Sequence, residues 1–94
     1  MARYLILIRF TPKGAKDMRK SASRAKEFAK AAAKAGLKVE AQYWCVGRYD
    51  GAVILSGKSD EAVLKQIAKL AAAGNVTTES VPLLDASQFK QIVS

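Results

Sequence analysis

Few residues in this chain are able to do chemistry. There is no histidine and a single cysteine, Cys45. A Ser-His or Cys-His pair, a zinc ligand set and an acid–base group titrating near pH 7 are therefore ruled out. The remaining reactive types gather in Tyr43-Trp44-Cys45-Val46-Gly47-Arg48-Tyr49-Asp50-Gly51, which holds two of the three tyrosines and the only tryptophan. Chemistry in that stretch has to rest on Tyr49, on Asp50 or on the substrate's own acidity. Both residues have a competing role in turn formation, with Asp50 accepting backbone N–H groups and pairing with Arg48. Trp44 offers either a flat wall for a planar ligand or a residue at the core of a dimer. Arg9, Gln42 and Arg48 complete a candidate ligand set. Arg9 supplies a fixed positive charge suited to a bidentate carboxylate pair, and Gln42 a polar group to orient the ligand. Gly51, beside Trp44, leaves room that a side chain would fill. Cys45 reads as inert packing, and no cofactor is called for.

The elements that must position these residues follow from periodicity. Ala2 to Phe10 is a strand with Tyr4, Ile6, Ile8 and Phe10 on one face and Leu5 and Leu7, flanked by Arg3 and Arg9, on the other. Apolar residues on both faces predict a central strand. Thr11-Pro12 opens a short helix through about Lys20, weakened by Gly14. Ser21 or Ser23 then caps a better helix that Gly36 ends, with Ala25, Phe28 and Ala32 inward and Lys26 and Lys30 outward. Lys38 to Val46 and Ala52 to Leu55 form a hairpin. A two-residue turn at Gly47-Arg48 pairs Trp44 with Gly51, Tyr43 with Ala52 and Ala41 with Ile54, whereas a turn at Asp50-Gly51 changes these partners but keeps the same faces. Its apolar face, Leu37, Val39, Ala41, Tyr43, Cys45, Ala52 and Ile54, is expected under the helices. Ser59 caps a third helix whose stripe is Leu64, Ile67, Ala68 and Ala71. Val76 to Val81 is a strand that Pro82 marks as an edge. Asp85 and Gln88 form the capping box of a terminal helix.

The order βαββαβ plus a helix is the ferredoxin-like split βαβ arrangement, an α+β fold with two helices on one face of a four-stranded antiparallel sheet. Residues 1–94 make one such domain. The other face is expected to carry Leu5, Leu7, Trp44, Val53 and Leu55. An apolar patch of that kind is uncommon on a monomer and predicts a homodimer or higher homo-oligomer.

The run Tyr43-Trp44-x-x-Gly47-Arg48-Tyr49-Asp50, followed by an apolar strand, Ser59-Asp60-Glu61-Ala62 and Gly74-Asn75-Val76, resembles the GYD domain family. Tyr4-x-x-Leu7-x-x-Phe10-Thr11 and the Gly14 turn fit as well. The resemblance covers nearly the whole chain and implies a ferredoxin-like fold of the dimeric α+β barrel type. It brings no established activity and no catalytic residues. Related dimeric barrels include cofactor-independent monooxygenases, isomerases and haem enzymes, and the lack of histidine removes the usual axial haem ligand.

Charge and composition narrow the function classes. The net charge of +8 is uneven: residues 1–38 carry eleven Lys or Arg against Asp17 and Glu27, and the rest carry five against six. Such a field attracts nucleic acid or acidic metabolites, yet the basic stretch interleaves only Phe28 and holds no RNA-binding motif. No apolar run is long enough for a membrane span, and one cysteine fits a reducing cytoplasm. Two functions are expected to compete. One is binding or transformation of a small planar or acidic metabolite on the uncovered sheet face. The other is a non-enzymatic homo-oligomeric assembly module, natural or engineered, whose basic helix contacts nucleic acid.

Overall fold

Strand β1 (Ala2–Phe10) lies inside the sheet, between β3 (Gly51–Gly57) and β4 (Val76–Pro82), with β2 (Lys38–Trp44) beyond β3. Every neighbouring pair is antiparallel. This is a computed structural model describing residues 1–94. Helices α2 (Ser21–Lys34) and α3 (Asp60–Ala72) cover one face, giving the predicted α+β, ferredoxin-like arrangement. The core sits in that layer: Tyr4, Ile6, Val53 and Leu55 from the sheet meet Ala32, Leu37, Val63 and Ile67. Each fully buried side chain among them contributes about 1.5–3 kcal/mol over leaving it in water.

Local signals account for the element ends. Thr11 caps α1 (Pro12–Lys16) by accepting from the Gly14 amide, with Pro12 at the first helical position. Gly14 is buried against Asn75, where any Cβ would collide with the Asn75 carbonyl. Gly36 and Gly74 end α2 and α3 with φ of 79° and 83°. Ser59 caps α3, and Asp85 with Gln88 forms a full capping box on α4 (Ala86–Val93).

Three expectations are corrected. Neither serine caps α2, because a 3-10 turn at Met18–Lys20 feeds straight into it. Ser21 Oγ is instead the acceptor for Trp44 Nε1, and Ser23 donates to the Lys20 carbonyl. In α3 the inward residues are Val63, Gln66 and Ile67, and Leu64 is exposed. The Tyr4 hydroxyl donates to Asp60 at the helix start, which turns the 60, 63, 67 face to the sheet.

The third correction concerns the hairpin. Of the two expected registers it has the one that goes with a turn at Gly47-Arg48, with Trp44 on Gly51, Tyr43 on Ala52 and Ala41 on Ile54. The faces, however, are exchanged: Val53 and Leu55 lie in the core, while Ala52 and Ile54 share the uncovered face with Leu7 and Leu5. A bulge between Val39 and Ala41 is the cause. One extra residue reverses the alternation, so Leu37 and Val39 face the helices but Ala41 and Tyr43 face away.

Candidate functional site

The Gly47-Arg48-Tyr49-Asp50 turn is built from the backbone outward. Gly47 has φ of 148°, in the region that favours glycine. Asp50 extends the β1–β3 ladder, donating its amide to the Ile8 carbonyl at 2.8 Å and accepting from the Cys45 amide at 2.9 Å. Its carboxylate accepts from the Phe10 amide at 2.8 Å. That carboxylate therefore satisfies a strand-end donor, and no ion pair joins it to Arg48.

With Asp50 pinned, Tyr49 folds over the uncovered face. Its hydroxyl donates to Glu79 of β4 at 2.7 Å. The Arg9 guanidinium lies 5.1 Å from the Tyr49 ring centroid and that of Arg48 lies 5.8 Å away. Both distances are within cation–π range. The bond to Glu79 holds the Tyr49 phenol above its ordinary pKa, with Arg48 and Arg9 pulling weakly the other way. Tyr49 is thus kept protonated at neutral pH and serves poorly as a base. Neither Arg9 nor Arg48 belongs to an ion pair. Two guanidinium groups outside any ion pair thus flank the Tyr49 ring, whose hydroxyl is held by the Glu79 carboxylate.

Beyond this corner the uncovered face is apolar, with Leu5, Leu7, Ala41, Ala52, Ile54 and Val81 all half-buried. The far end is closed by Arg3, which donates to Glu40 at 2.8 Å. This bond holds the Glu40 carboxyl below its ordinary pKa.

The six candidate residues are divided between the two faces. Arg9, Arg48 and Tyr49 come together, and Asp50 sits beneath them turned toward the backbone. Gln42 and Trp44 lie on the helix side, where Gln42 donates to the Ala25 carbonyl at 3.1 Å and Trp44 to Ser21 at 2.9 Å. A pocket combining Trp44 with Arg9 is therefore not formed. Nor is there a void beside Gly51, which is buried: a side chain there would place its Cβ only 3.2 Å from the Tyr43 carbonyl oxygen. Cys45 is a free, half-buried thiol beyond the end of β2. Nothing in the sequence marks Glu79 as a member of the site, because only the β1–β4 register brings it opposite Leu7. A hollow of about 370 Å³ lies away from this corner, lined by Met1, Gly36, Lys38, Ser56, Gly57 and Lys58.

The GYD domain profile matches residues 4–93, from the first core tyrosine to the end of α4. The chain belongs to the GYD domain family. No curated protein and no solved structure matches it. The Gly-Arg-Tyr-Asp core of this GYD domain has two separable jobs: Asp50 ties the hairpin to β1, and Tyr49 organises the two arginines. No helix of the domain is long and apolar enough to cross a membrane.

Proposed function

We propose that this GYD domain binds a small anionic molecule bearing a flat apolar part, on a sheet face that a second copy of the chain closes. The observation that carries this is the pairing of two unpaired arginines, Arg9 and Arg48, on the Tyr49 ring at the rim of an apolar floor. A carboxylate or phosphate would meet the guanidinium groups while its flat part lay on Leu7 and Ala52. The role is binding rather than proton transfer, since Tyr49 is held protonated by Glu79 and Asp50 is committed to the Phe10 amide.

Benzoate and phenyl phosphate serve as probes, followed by amide chemical shifts during titration. Saturable shifts centred on Arg9, Arg48 and Tyr49 are expected. Arg9→Gln should weaken the tighter probe by about tenfold to a hundredfold, the range of a charge-assisted hydrogen bond of about 1.5–3 kcal/mol. Lys30→Gln, on the outward side of α2, should change nothing. Equal loss in both variants would reduce the effect to net charge and contradict the site.

A further inference from the structure

We propose that α4 is an arm that docks on the Tyr43–Val46 corner of a second copy of this chain. The inference rests on the self-association proposed above and names the surfaces that perform it. An eight-residue helix is marginal in water by itself, yet α4 carries a complete capping box and buries no residue of its own. Phe89, Ile92 and Val93 share one flank and are 55%, 65% and 64% exposed. A well-defined helix with an unpartnered apolar flank needs something to cover it.

The second surface is equally specific. Tyr43 is 64% exposed and Val46 is fully exposed. Tyr43 stands on the uncovered face of the outer strand β2, at the end of the sheet marked by Ile8 and Gly51, and Val46 follows two residues beyond that strand's end. Arm α4 leaves from the opposite edge and the opposite end, where the Leu83 amide donates to the Arg3 carbonyl after β4. The two patches therefore lie at diagonally opposed corners of the sheet. A two-fold axis along the other diagonal stacks sheet on sheet and brings each arm onto the partner's Tyr43–Val46 corner, both contacts at once.

Area favours the same arrangement. Four strands spaced about 4.8 Å apart and seven residues long cover about 450 Å², so two stacked sheets bury about 900 Å². Stable interfaces bury about 1,200–2,000 Å². The flank of α4, about 12 Å by 10 Å, removes its own area and that of the surface beneath it, twice over. The total then reaches about 1,400 Å², which the sheets alone do not supply.

The test mixes two single-cysteine proteins in a Cys45→Ser background, one with Val46→Cys and the other with Ile92→Cys, and oxidises them. A disulfide joining the two different chains is expected, with neither protein cross-linking to itself. In parallel, Phe89→Asp with Ile92→Asp should raise the dimer dissociation constant about tenfold or more, since both residues lie on the flank that docks and each would bury a charge there. The same double variant should unfold as the wild type does when diluted to monomer. Dominant Ile92–Ile92 cross-links, or a dimer whose dissociation the double variant leaves unchanged, would overturn the arm while leaving sheet pairing intact. A wild-type chain that stays monomeric would overturn both.

Discussion

The two faces of this sheet are made by alternate residues of the same strands, yet they end in different environments. On the helix side Ile6, Val53 and Leu55 are closed off by Val63, Ile67 and Ala32, and exposure falls to a few per cent. On the other side Leu5, Leu7, Ala52 and Ile54 are nearly as apolar but only half-buried, and they shelter one another. Charged residues stand around the margin of that second face: Arg3 with Glu40 at one end, Arg9 and Arg48 around Tyr49 at the other, and Glu79 on the edge strand β4 beside Leu7. The first face holds the chain together. The second has the composition of an interface, with an apolar centre and a polar rim.

Truncating one residue on each face should separate these roles. Leu55→Ala removes a side chain with no exposed surface and is expected to cost about 2–5 kcal/mol in denaturant unfolding. Ile54→Ala, its immediate neighbour, should cost about 1 kcal/mol or less when the protein is dilute. Equal costs would mean that the second face is also core. Next in size is Asp50→Ala, which leaves the Phe10 amide without its acceptor and should cost about 1–3 kcal/mol. Asp50→Asn, which keeps an acceptor oxygen, should recover most of that loss.

The smallest effect concerns Tyr49 at high pH. Its folded pKa lies above the unfolded value of about 10 because its hydroxyl donates to Glu79. The stability this provides is fully present below the unfolded value and is lost as pH rises through the folded one. Wild type should therefore lose stability above about pH 10 more steeply than Tyr49→Phe. Parallel profiles would show that the Glu79 bond contributes nothing in solution.

Much of this comparison is legible in the sequence, up to one residue. The alternation of Tyr4, Leu5, Ile6 and Leu7 marks β1 as central, and the glycines at 47 and 51 leave two hairpin registers, of which the structure has the one pairing Trp44 with Gly51. The capping residues Thr11, Ser59 and Asp85 lie where their types predict. What alternation cannot carry is the bulge near Glu40. It breaks the period of two inside β2, so extrapolating from Leu37 and Val39 sends Trp44 to the wrong face and Tyr43 with it. The Arg9–Tyr49–Glu79 cluster is hidden for a different reason: its members come from β1, the hairpin and β4, and they meet only through a register spanning distant parts of the chain. Charge pattern alone names Arg9 and Arg48 but not the carboxylate between β4 and the tyrosine.

The role given to the uncovered face is tested most directly by molar mass from light scattering over a dilution series, for wild type beside Ile54→Lys. Wild type should give close to twice the 10.1 kDa of one chain, or a higher multiple, and Ile54→Lys should give a single chain that remains folded. A wild-type mass of one chain at every concentration, or an Ile54→Lys protein that associates as the wild type does, would contradict it.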